Sequence, residues 1–85
     1  MRVTIPSPLL SYSGRHEVQA IGATAAEALL DLDRQFPGIR FRMVDEQGQV
    51  RTHMRLFLNG AELHDLGMAV DDKSTLHIVQ ALSGG

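Results

Sequence analysis

Between residues 25 and 36 the apolar positions Ala25, Ala28, Leu29, Leu32 and Phe36 recur at the three- and four-residue spacing that lines one face of an α-helix. Both ends of this helix are written into the chain. Thr24 followed by Glu27 fits a capping box, in which the hydroxyl accepts one orphan amide and the carboxylate reaches back to the amide of the cap residue. Pro37-Gly38 stops the helix, because proline cannot continue it and glycine tolerates the exit geometry. A single apolar stripe of this length must be covered by another apolar layer.

The rest of the chain supplies strands. Residues 2–5 alternate, with Val3 and Ile5 on one face, until Pro6 and Pro8 end ladder pairing. A turn-rich stretch, Ser11-Tyr12-Ser13-Gly14, leads to a second short strand at residues 16–20 with Val18 inward, which predicts an amino-terminal hairpin. Residues 39–44 alternate before the polar turn Asp45-Glu46-Gln47-Gly48, and read equally as a short strand or an irregular connection. Thr52, Met54, Leu56 and Leu58 alternate up to Asn59-Gly60, the strongest two-residue hairpin signal. Residues 61–63 give a short return, residues 66–70 a mobile or single-turn connection, and residues 75–81 a last strand with Leu76 and Ile78 inward. One main helix on a mixed sheet of four or five strands is a two-layer α+β domain, here assigned to residues 1–81, with residues 82–85 as a flexible tail.

Composition narrows the chemistry. At 85 residues the chain is one domain, and 44% hydrophobic with 21% charged residues is the balance of a folded protein. With no Cys there is no disulfide, thiolate metal site or cysteine nucleophile. Eight Lys+Arg against ten Asp+Glu lack the basic excess of nucleic-acid binders. No stretch reads as a signal peptide or reaches the roughly 18 apolar residues of a membrane span, so the expected compartment is the cytoplasm. His16, His53, His64 and His77 lack metal-pair spacing and read as surface histidines. Asp31/Asp33 and Asp71-Asp72 read as a helix face and a solvated turn, since a paired-carboxylate site needs a pocket that this chain can scarcely enclose. Arg40, Arg42, Arg51 and Arg55 are candidates for a basic patch.

The remaining chemistry lies in Gly84-Gly85. Glycine has no Cβ, so such a pair enters narrow channels and presents a carboxylate without obstruction. Four extended residues from Leu82 reach at most about 13–14 Å from the domain. The ordered motifs extend from Val3/Ile5 through Thr24-Ala25-Ala26-Glu27-Ala28-Leu29, Pro37-Gly38-Ile39-Arg40 and Asp45-Glu46-Gln47-Gly48. They continue in Leu56-Phe57-Leu58-Asn59-Gly60 and close on Gly84-Gly85. Together they make nearly the whole chain resemble the MoaD/ThiS family of ubiquitin-like sulfur carriers. Two positions depart from that pattern: Asp71-Asp72-Lys73-Ser74 stands where the family usually has Gly-Asp, and Gln80 where its last strand often has Pro.

The resemblance implies a β-grasp fold and a carrier that is not itself an enzyme but a protein cosubstrate or the small subunit of a sulfur-transfer enzyme. Gly85 would be adenylated by a ubiquitin-activating-type adenylyltransferase, which supplies ATP and magnesium, and then receive sulfur from a rhodanese or cysteine desulfurase type of donor. The resulting thiocarboxylate would serve an acceptor synthase. No cofactor or metal is expected on this chain, and neither nucleic acid nor membrane is an expected partner. Strand alternation places Phe57, His77 and Val79 on the sheet face opposite the helix, the expected docking face, with Leu82 and Ser83 as contacts leading to Gly84 and Gly85. Two alternatives share the fold: a modifier conjugated to lysines through Gly85, and an interaction domain with an unreactive terminus.

Overall fold

A computed structural model describes residues 1–81. The strands are β1 (Arg2–Thr4), β2 (Glu17–Gln19), β3 (Met54–Leu58), β4 (Ala61–Glu62) and β5 (Thr75–Gln80). They form one mixed sheet in the order β2-β1-β5-β3-β4. β1 and β2 are the antiparallel hairpin pair, with Val3 opposite Val18. β1 runs parallel to β5, placing Val3 beside Leu76, and β3 runs antiparallel to β5, placing Leu56 beside Ile78. Asn59 (φ 52°) and Gly60 (φ 90°) both take the left-handed backbone required by the tight turn between β3 and β4.

The predicted helix is α2 (Ala25–Gln35), and it buries Ala25, Ala28, Leu29 and Leu32 against the sheet. Thr24 Oγ1 accepts the Glu27 amide at 3.2 Å. Glu27 Oε1 accepts the amide of Ala23 at 2.9 Å, one residue before the position a standard capping box would use. The connection 66–70 completes this helix start. The carbonyls of Met68 and Leu66 accept the amides of Ala25 and Ala26 at 3.0 and 2.8 Å, and the Val70 amide donates to Ala23 at 3.0 Å. That segment is therefore tied to the helix through the amides its first turn leaves without internal partners. Thr24→Ala removes one of these bonds and should cost about 1 kcal/mol in denaturant unfolding, with an unchanged m value.

Two segments differ from the sequence reading. Residues 39–44 are neither strand nor irregular: Ile39–Met43 is a short helix, α3. Asp33 Oδ1 accepts the amides of both Gly38 and Arg40 at 3.1 Å, and Gly38 turns the chain at φ 97°. Ile39 and Met43, four residues apart, are both fully buried, while Phe41 between them is 58% exposed. The stretch between β1 and β2 also contains more than a turn, with a 3-10 turn at Ser7–Leu9 running into the helical turn α1 (Leu10–Ser13) and inserting Leu9 into the core. Pro8 is tolerated there because the first turn of a helix does not need its amide.

The core lies between the helices and one sheet face, around Val3, Leu29, Leu32, Ile39, Met43, Leu56 and Leu76. The other sheet face carries no covering element among the described residues. No helix among the described residues is long and apolar enough to cross a membrane.

Candidate functional site

Alternation along β3 and β5 does what the sequence predicts: Leu56, Leu58, Leu76 and Ile78 point into the core, leaving Phe57, His77 and Val79 on the uncovered face. The register brings these three together. Phe57 lies directly opposite His77, and Val79 lies opposite Arg55 in the next pair. Side chains so placed sit roughly 4.5–5.5 Å apart at Cβ. Val79 is 42% exposed, His77 exposed and Phe57 half-buried.

His77 is held from its other side. Thr4 neighbours it across the parallel β1–β5 pair, and Thr4 Oγ1 and His77 Nδ1 are 2.9 Å apart. Charged residues rim the face on both edges, where Arg2 pairs with Glu17 at 3.9 Å and Arg55 with Glu62 at 3.6 Å. A small apolar centre within a neutralised polar rim has the make-up of a protein-docking surface. Beyond Val79 the same alternation reaches Ala81, whose amide donates to the His53 carbonyl at 2.8 Å. β5 thus carries the chain from this face to Ala81. The expected contacts Leu82 and Ser83 and the reactive pair Gly84 and Gly85 lie outside the described residues.

The other candidates serve the fold. Asp31 Oδ2 accepts the Ile21 amide at 3.0 Å and the Gln35 amide nitrogen at 2.9 Å, while its Oδ1 faces Arg34 at 3.2 Å. Asp33 supports the start of α3, and Asp71 Oδ1 accepts the Lys73 amide at 2.8 Å in the turn before β5. Arg40 and Arg42 are on α3, Arg55 is on β3 and Arg51 precedes β3. Arg51 lies over the Phe41 ring at 4.4 Å and lines, with Arg55, an open groove of about 770 Å³, whereas Arg40 and Arg42 do not line it. Glu62, His64 and Asp65 share that groove, so its charge is mixed.

A hairpin, a helix packed across a mixed sheet, and a central parallel β1–β5 pair define a ubiquitin-like β-grasp domain. No protein-family model and no curated protein sequence matches the chain. Solved structures do. The chain is 31% identical to one in the crystal structure of the BexX/CysO complex of Amycolatopsis orientalis, covering 99% of its own length and 98% of that chain, with a TM-score of 0.89. Mycobacterium tuberculosis CysO is 25% identical with a TM-score of 0.89, over 95% of this chain and 98% of that one. SAMP1 of Haloferax volcanii is 26% identical with a TM-score of 0.79, over 100% and 98%. The chain belongs to the MoaD/ThiS-type family of ubiquitin-like sulfur-carrier proteins. At the level these relatives share, it is a ubiquitin-like sulfur carrier or modifier.

Proposed function

We propose that Gly85 shuttles between a carboxylate and a thiocarboxylate, making this chain a protein cosubstrate that delivers sulfur to the synthesis of a small molecule or cofactor. The observation that carries the reading is the continuity of the Phe57, His77 and Val79 face with β5, the strand that leads to Gly84-Gly85, in a chain 31% identical over its length to a partner-bound relative. A partner seated on that face would meet the chain just as it leaves the sheet.

The chemistry follows from what a carboxylate lacks. It is a poor electrophile, so an adenylyltransferase of the ubiquitin-activating type, holding ATP and magnesium, joins Gly85 to AMP and releases pyrophosphate. A persulfide on a rhodanese or cysteine desulfurase type of donor attacks the acyl carbon and expels AMP. Thiol cleavage of the resulting acyl persulfide leaves the thiocarboxylate on Gly85 and a disulfide on the donor. An acceptor synthase then takes the sulfur and returns the carboxylate. Activation divides a difficult transfer into easier steps. The chain's own part is to dock and to present an unobstructed terminus, which two glycines permit.

Val79→Asp tests the docking face without touching the terminus. It should raise the KM for this protein in ATP–pyrophosphate exchange by the host's activating enzyme about tenfold or more, with kcat little changed and the fold intact. A KM equal to that of the wild type for both Val79→Asp and Phe57→Ala would remove the face from the reading. Similarity to SAMP1, a small archaeal modifier protein, favours conjugation to lysines as the second reading. That reading predicts high-mass conjugates on denaturing gels of the native host, whereas sulfur carriage predicts protein of unchanged length.

A further inference from the structure

The outer face of α2 carries a second apolar surface, turned away from the open sheet face. Leu30 on the helix is 53% exposed, and Ile21, in the connection from β2, is 72% exposed. With Gly22, Glu27 and Arg34 they line a shallow depression of about 290 Å³. The local backbone is fixed. The Ile21 amide donates to Asp31 Oδ2 at 3.0 Å, and Gly22 lies so close to the helix that a Cβ there would come within 2.6 Å of the Ala28 nitrogen.

Charge is arranged symmetrically about Leu30. Glu27 precedes it by three residues and Arg34 follows it by four, so they stand about 4.5 and 6 Å from it along the helix axis, on the same stripe. Glu27 uses Oε1 for the Ala23 amide and keeps Oε2 available. The Arg34 side chain is 75% exposed, while its partner Asp31 is only 13% exposed and already takes the Ile21 and Gln35 hydrogen bonds. A strip that is negative at one end, apolar at the centre and positive at the other is complementary to its own copy turned by a two-fold axis.

We propose that this strip is a self-association surface: a second copy lays its α2 antiparallel across Leu30, so that Glu27 of each copy meets Arg34 of the other. Two exposed apolar side chains per copy cover far less than the roughly 1,200–2,000 Å² of a stable interface, so the dimer is weak and concentration-dependent. Both sheet faces point outward from it, and self-association leaves the Phe57, His77 and Val79 surfaces free.

Sedimentation velocity of the full chain over a concentration series tests this. The wild type should show a monomer–dimer equilibrium, and Arg34→Glu or Glu27→Lys alone should weaken it about tenfold by placing like charges together at both symmetric contacts. An equimolar mixture of the two variants should recover association, because each heterodimer contact again pairs opposite charges. Circular dichroism confirms that each variant is folded, and Arg34→Glu leaves the Thr24/Glu27 cap in place. A wild type that stays monomeric into the millimolar range, variants that dimerise as the wild type does, or a mixture that recovers nothing would each overturn the proposal.

Discussion

A chain lacking Gly84 and Gly85 is expected to form no thiocarboxylate and to support no ATP–pyrophosphate exchange, with an unfolding free energy within about 0.5 kcal/mol of the intact protein. The two effects separate because the functions occupy different parts of the chain. Among the described residues the buried core lies between Met1 and Ile78, and Ala81 closes the last described backbone bond of the sheet. Glycine has no side chain, so removing two of them takes away no apolar side chain, whereas it takes away the acyl group that must be adenylated. A carboxylate on Ser83 would not substitute, since it ends two residues short, about 7 Å in extended chain, of where Gly85 would place it. Denaturant unfolding and exchange assays on the same preparation read both outcomes. Exchange retained by the shortened chain would contradict the assignment of Gly85 as the adenylated group, and an intact chain that supports no exchange would favour an interaction domain with an unreactive terminus.

Leu76→Ala is expected to have the opposite profile. Leu76 is fully buried on β5, paired with Val3 on one side and Leu58 on the other, so its side chain lies at the junction of the parallel and antiparallel halves of the sheet. Truncation removes its transfer free energy and leaves a cavity that the flanking strands, fixed by their ladders, cannot fully close. The cost should be about 2–5 kcal/mol. Small domains have a net stability of only about 5–15 kcal/mol, so the loss is a large part of the whole and should lower the thermal midpoint by ten degrees or more. Where the variant remains folded, Gly85 should still be adenylated, because no reacting group has changed. A stability close to that of the wild type would show that the β1–β5 junction is packed differently from this description.

The elements with strong local signals were legible before any coordinates. α2 announced itself through its stripe, Thr24 and Pro37-Gly38, and the β3–β4 turn through Asn59-Gly60, whose positive φ values are the reason those residues are there. α3 was not legible. Ile39, Phe41 and Met43 satisfy a two-residue period as well as Ile39 and Met43 satisfy a four-residue one, and neither period registers the Asp33 carboxylate on the preceding helix that holds the amides of Gly38 and Arg40. The helical turn before β2 was hidden in the same way, behind a Ser-rich stretch anchored by core contacts of Leu9, Leu10 and Tyr12.

The Phe57, His77 and Val79 face could be listed from alternation but not assembled. Placing Phe57 beside His77 needs the β3–β5 register, and placing Thr4 on the far side of His77 needs β1 to lie parallel to β5. Neither follows from one strand's pattern. Motif order across the chain made the family visible, because a terminal Gly-Gly gains meaning only behind a complete β-grasp sequence.

Sulfur carriage changes one atom of Gly85, and a single peptide can report it. Trypsin cuts after Lys73 and releases residues 74–85, a segment free of all four methionines, whose oxidation would add nearly the same mass as exchanging oxygen for sulfur. The protein should be incubated with the host's activating enzyme, magnesium ATP and a persulfide donor, digested, and that peptide measured by high-resolution mass spectrometry. A peptide ending at Gly85 in which one oxygen is replaced by sulfur is expected, appearing only when ATP is present. A peptide 74–85 that keeps its plain carboxylate under these conditions, while a known carrier added to the same mixture is converted, would contradict it.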